Sequence, residues 1–227
     1  MPQRHRSIRA TITVSWQRLS EMERDVFAQL SIFRGGFTWE AAQAVTGATP
    51  RPLANLVNKS FLQYDPVRDR YLIHELMRQF GAEKLAEDGE AETAAHDRHS
   101  SYYCQMLGGK EQELKGPRRR IVLVEIEANL GNIEAAWRWA ARQRLWSNLR
   151  QACRAFFRFY VASFRYQDSL AVCQWTVNQL APENITEVQD KDSAWILARA
   201  LICMADAYLY LNQLQHAELL LQQSQTI

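Results

Sequence analysis

Helical periodicity along most of the 227 residues, one candidate β-hairpin near residues 61–73, and only nine glycines and six prolines predict a mainly α fold. A hydrophobic content of 47% with 23% charged residues is globular composition and excludes wholesale disorder. The formal net charge of +2 and a pI near 8.4 do not announce a nucleic-acid binder. No uninterrupted apolar run approaches the ~18 residues needed to span a bilayer, so no membrane partner is expected. The basic N-terminus, MPQRHR, has no apolar segment behind it and does not read as a secretory signal. Cys104, Cys153, Cys173 and Cys203 stand far apart with no Cys-x-x-Cys pair, which suits a reducing compartment and a cytoplasmic location.

Residues 1–88 carry the strand signal. Ile8, Ile12, Trp16 and Leu19 suit one helix. Ser20 followed by Glu23 is a capping box, opening a second helix with Val26, Phe27, Leu30 and Phe33 inward and stopped by Gly35 and Gly36. Thr38 caps a third helix closed by Gly47, and Pro50 and Pro52 occupy the first turn of a fourth, with Leu53, Leu56 and Val57 at helical spacing. Residues 61–64 and 70–73 flank a polar turn containing Pro66 and read as a hairpin, followed by a helix over 74–87. Helices in series and then a hairpin is the order of a winged-helix domain, assigned here to 1–88.

Beyond it the periodicity is helical only, in segments near 91–107, 118–141, 144–162, 166–181, 191–211 and 213–226, with a break at 182–190. We divide this part into a helical linker, 89–143, and helical hairpins, 144–227. Leu201, Met204, Ala205, Tyr208, Asn212, Ala217, Leu221 and Ser224 follow the small-and-large ladder of a tetratricopeptide unit of ~34 residues. Asn212 stands where a left-handed turn residue is needed. Since three or more such units are normally required, the array is expected to be a truncated part of a longer stack. The predicted fold class is therefore mainly α: a winged-helix domain with a small β-hairpin wing, followed by an α-helical, tetratricopeptide-like array.

Six strings carry a resemblance: SIRATITVSWQRL (7–19), ERDVFAQLSIFRGGF (23–37), LANLVNKSFL (53–62), RYLIHELMRQF (70–80), RHSSYY (98–103) and EANLGNIEAAWRWA (127–140). In this order they resemble the region that follows the ATPase core in the STAND signal-transduction ATPases, especially bacterial regulators with tetratricopeptide tails. The resemblance implies a winged helix, a helical linker and a sensor or scaffold array. It also implies ADP or ATP as cofactor of an upstream nucleotide domain, and none for this chain. The family's Gly-x-x-x-x-Gly-Lys-Ser/Thr loop is absent from this sequence; LGGKE (107–111) lacks its spacing and hydroxyl residue. In the family a His after two apolar residues contacts the β-phosphate of ADP. Ile73-His74 matches it, with Glu75 where Asp is usual, so the resemblance makes His74 a nucleotide-sensing residue of the parent protein.

As a recognition helix, residues 51–59 would offer Arg51, Asn55 and Lys59, with Arg68 and Arg70 on the wing, a thin cationic footprint beside Asp65, Asp69 and Glu75. DNA is accordingly not the expected partner. His96, His99 and Cys104 do not share a tight helix face, so no metal site is expected. The arginines at 118–120 open a helix at the end that disfavours cations, and call for a compensating carboxylate or solvent. Among the many aromatic residues after 130, Phe157, Tyr160, Phe164 and Tyr208 are candidates for a partner groove. No nucleophile-and-base arrangement is visible, and the chain reads as non-enzymatic. The expected function is a regulatory fragment: the winged helix controls the nucleotide state of the upstream domain, and the array binds a protein or small inducer. A DNA-binding winged-helix transcription regulator is the alternative.

Overall fold

A computed structural model describes residues 3–181 and 190–226. It contains helices α1 (Gln3–Gln17), α2 (Glu21–Leu30), α3 (Trp39–Thr46) and α4 (Pro50–Asn58), strands β1 (Gln63–Asp65) and β2 (Arg70–Leu72), and helix α5 (Glu75–Leu85). Then follow α6 (Gly89–Gly108), a 3-10 turn (Glu113–Lys115), α7 (Arg119–Arg142), α8 (Trp146–Ala162), α9 (Tyr166–Leu180), α10 (Lys191–Tyr210) and α11 (Leu214–Gln225). The fold is mainly helical with one two-stranded antiparallel sheet among the described residues, as expected. The break expected at 182–190 lies, but for Asp190, outside those residues. The chain forms two compact units, residues 1–102 and 103–227. The division falls inside α6, between Tyr102 and Tyr103.

In the first unit the local signals act as read. The Ser20 hydroxyl accepts from the Glu23 amide at 3.3 Å while the Glu23 carboxylate accepts from the Ser20 amide at 2.8 Å, satisfying two orphan donors of α2. Thr38 caps α3, and Gly47 ends it with φ +67°, a left-handed conformation that costs a glycine nothing. The strands are shorter than predicted. Phe61 and Leu62 are core residues that follow a left-handed turn at Ser60 (φ +61°), and pairing begins only at Gln63. Asp65 Oδ1 accepts from the amides of Val67 and Arg68 and closes the hairpin turn. Tyr71 of β2 also exchanges two backbone hydrogen bonds with Phe37, at 2.8 and 3.0 Å, so the segment before α3 borders the sheet.

The core of this unit is a chain of aromatic contacts. Phe27 meets Phe61 edge-on at 5.0 Å, Trp16 meets Phe80 at 5.4 Å, and Phe33 stacks on Phe37 at 4.3 Å. Leu30, Leu53 and Leu56 are fully buried among them. Helix α5 approaches α2 at Gly81: a Cβ there would lie 2.9 Å from the Ser31 Cβ and 3.0 Å from the Phe27 ring. One ion pair of the same unit is anchored on a buried carboxylate. The buried Glu23 carboxylate receives the Lys59 ammonium at 2.7 Å and also serves the α2 cap.

The second unit is built of helices at turns of one design. The amides of Leu145, Arg165 and Gln213 each bond a carbonyl five residues back, at 2.8 to 2.9 Å, after a left-handed residue: Arg144, Phe164 and Asn212. Asn212 is the turn residue anticipated from sequence. Trp137, Phe156, Phe159 and Tyr160 fill the interior; the Trp137 ring N–H donates to Thr176 Oγ1 at 2.9 Å, and the Tyr160 hydroxyl donates to Glu134 at 2.7 Å. Ala205 and Ala217 are buried where α10 meets α11. All four cysteines are buried and free, and burial pushes the Cys153 thiol up to about 12.

Two outcomes test these contacts. Glu23→Gln keeps a capping acceptor but loses the ion pair, and is expected to destabilise the chain by about 1 kcal/mol at neutral pH, a figure discounted because the Lys59 side chain is 40% exposed. The Lys59 ammonium holds the Glu23 carboxyl below the ordinary carboxylate range, so this contribution is present above that range and fades as the pH falls through it. Urea melts at neutral and acid pH measure the difference, which shrinks on acidification. Gly81→Ala is expected to lower the urea midpoint, at a cost of about 1–3 kcal/mol, although Ala is the better helix former.

Candidate functional site

Helix α4 buries Pro52, Leu53 and Leu56 against the core and presents Arg51, Ala54 and Asn58 to solvent. Of the five residues proposed from sequence as DNA contacts, four are engaged inside the unit. Lys59 donates to Glu23 and, at 3.4 Å, to the Arg18 carbonyl. Asn55 hydrogen-bonds the same Glu23 carboxylate and helps hold its pKa down. Arg70 donates to the Gly36 carbonyl, and Arg68, at the hairpin tip, pairs with Asp65 at 3.4 Å. Arg51 makes no ion pair among the described residues. The cleft where α4 begins, about 540 Å³ between α2 and the end of α3, is lined by Glu21, Asp25 and Thr49 among others, so its charge opposes phosphate.

His74 is the N-cap of α5. Its Nδ1 accepts from the Leu76 amide at 3.3 Å, which leaves Nε2 of the neutral ring as the protonated nitrogen. The imidazole is exposed. Beside it, Glu75 is gripped by Arg78 at 2.7 and 2.8 Å and by Gln79 at 2.9 Å, and the Arg78 guanidinium above all holds its carboxyl down at about 2. His99 is buried edge-on to Phe33 at 5.2 Å, while half-buried His96 has its pKa lowered by desolvation. No cluster of three His, Cys, Asp or Glu side chains that can hold a metal occurs among the described residues. At the head of α7, Arg118 pairs with Glu113 at 2.9 Å and Arg119 donates to the Ala162 carbonyl at 3.0 Å, the compensation that the arginine run required.

The four groove candidates are dispersed. Tyr160 is core. Tyr208 stacks on His216 at 5.1 Å. Phe157 is buried and forms part of the wall of a cavity of about 100 Å³ between α8 and α10, and Phe164, 74% exposed, lines a neighbouring one of about 220 Å³. The first cavity also holds Arg154, Arg158 and Arg199, which the sequence reading passed over. A signal was present: α8 has no acidic residue and places Arg150, Arg154 and Arg158 four apart on one face, a mutually repulsive row on an isolated helix.

Three comparisons frame these observations. Proteins named "Putative HTH-type transcriptional regulator" in Mycobacterium bovis and Mycobacterium tuberculosis are 33% identical to this chain over 147 residues, 61% of the chain and 16% of their own length. An "Uncharacterized protein" of Mycobacterium bovis is 38% identical over 93 residues, 35% of the chain and 23% of its length. No family model matches the chain, and no solved structure matches it. The chain thus spans about a sixth of the length of the regulators it is similar to.

Proposed function

We propose that this chain is a non-catalytic regulatory segment of a larger transcription regulator, in which the first unit is a winged helix that bears on a nucleotide-binding domain and the second is a tetratricopeptide-like array that receives the signal. The name carried by its relatives supports a regulatory role, and their greater length supports a segment of something larger. The observation that carries the reading is the capture of Lys59 by Glu23. A helix that reads DNA needs cations free to meet phosphates, and Lys59, just beyond α4, is held by a carboxylate of its own unit. The acidic cleft at the start of α4 points the same way.

In this reading His74 is the contact with the nucleotide's anion. The fit is confined to one donor, Nε2–H, since the Leu76 amide is already capped and the adjacent Glu75 is itself an anion. The nucleotide, held by the neighbouring domain, supplies the charge that distinguishes a closed state from an open one. A ligand on the array shifts that balance only if it binds the two states with different affinity.

DNA reading by α4 is the second reading, favoured by the relatives' name and by Arg51, the solvent-facing cation at its first turn. Fluorescence anisotropy with labelled duplex DNA over a salt series separates the two. The regulatory reading predicts no saturable binding at micromolar protein. Binding whose log-log salt slope corresponds to several phosphates (about −0.9 for each), and which Arg51→Ala weakens, overturns it.

A further inference from the structure

We propose that the face shared by α8 and α10 is a binding site for a small molecule with an oxyanion head, carboxylate or phosphate, and an aromatic or apolar body. This names the ligand class for the signal-receiving array and in that sense rests on the functional reading above, although the site's geometry stands without it.

The head group is specified by three guanidiniums around one cavity. Arg154 and Arg158 lie one turn apart on α8, and Arg199 projects from α10. Other arginines of this unit are satisfied from within: Arg150 by Asp192, Arg165 by Glu127 and Asp168, Arg118 by Glu113 and Arg119 by a carbonyl. Among the described residues none of the three has an ion-pair partner within 4.0 Å, and Nε of Arg199 is buried without a hydrogen bond. A buried guanidinium nitrogen left without an acceptor is costly, and a ligand oxygen in the cavity relieves that cost. The apolar wall of Phe157, Val161 and Ile202 lowers the local dielectric and strengthens whatever anion enters. Planar guanidinium forks suit both carboxylate and phosphate.

The two carboxylates nearby do not fill this role. Asp206 lines the cavity without pairing, and burial raises its pKa in spite of Arg199 and Arg158. Glu111, which feels Arg154 and Arg158 at a distance, is held by Lys115 at 2.7 Å.

The body of the ligand is specified by the second cavity, which shares Arg158 and Val161 with the first. Phe164 stands there 74% exposed with φ +60°, a backbone conformation that strains a bulky side chain. Next to it Tyr166 and Tyr210 stack at 4.8 Å with planes 11° apart. Two adjoining concavities, one edged by three arginines and the other by an aromatic shelf, are the form of a small-molecule site rather than a flat protein interface. A ligand ring that covers the exposed Phe164 face removes apolar surface from water.

Isothermal titration of the full chain tests this with phenyl phosphate, phenylacetate, inorganic phosphate, neutral benzyl alcohol, and sodium chloride at matched ionic strength. Saturable one-to-one binding of at least one ring-bearing anion is expected, and the two such probes distinguish a phosphate from a carboxylate source. Arg158→Gln and Arg154→Gln, both at exposed side chains, the second also over the Trp195 ring at 5.8 Å, are each expected to weaken it at least 10-fold, and Arg199→Met to abolish it. Phe164→Gly is expected to weaken the ring-bearing anions while leaving inorganic phosphate unchanged. Heats no larger than those of sodium chloride, or affinity that survives Arg158→Gln and Arg154→Gln, overturn the proposal. DNA binding through Arg51 would sink the regulatory reading alone, and leaves these titrations unaltered.

Discussion

A carboxylate that answers to two masters organises the first unit. Glu23 closes the N-terminus of α2 by accepting the Ser20 amide, and the same group receives the Lys59 ammonium from just beyond α4 and a hydrogen bond from Asn55. It is buried, so each partner is needed: a buried carboxylate left without one would be protonated or expelled. The ends of two helices are thereby fixed to one point, and Leu53 and Leu56 come to rest among Phe27, Leu30 and Phe61. In the proposed reading the same bond has a functional consequence, since the cation that ties α4 down is then not offered to a polyanion.

The second unit is organised by turns rather than by a charge. Arg144, Phe164 and Asn212 adopt the left-handed conformation so that each following amide can reach back five residues and close the helix before it. At Asn212 the residue type suits the geometry, whereas at Phe164 it does not, and the turn carries strain. The same turn that lets α8 give way to α9 also holds an aromatic ring in solvent beside a cavity edged by arginine. Local backbone chemistry and the candidate ligand site therefore meet at one residue.

Much of the fold was legible in residue types that act locally. Ser20, Thr38, Gly47, Pro50 and Asn212 each mark a helix end through a bond or torsion set by the nearest few residues. The strands were read too long because Phe61 and Leu62 have strand-like side chains, yet they are buried by α2 and α4 rather than by sheet pairing. The turn at Glu113–Lys115 escaped because three residues show no period. For the sites, type and spacing nominated Arg51, Asn55, Lys59, Arg68 and Arg70 as an outward set; what they bond lies up to 41 residues away and is invisible to periodicity. The Arg154 and Arg158 row was legible on α8 alone, but Arg199 joins it only through the packing of α10.

The direct measurement is the acetylation rate of individual lysines in the native chain, followed by mass spectrometry with and without duplex DNA. An ammonium held 2.7 Å from a buried carboxylate, Lys59 is expected to react far more slowly than the exposed Lys191, at a rate DNA leaves unchanged. Rapid labelling of Lys59 that DNA suppresses would contradict the account.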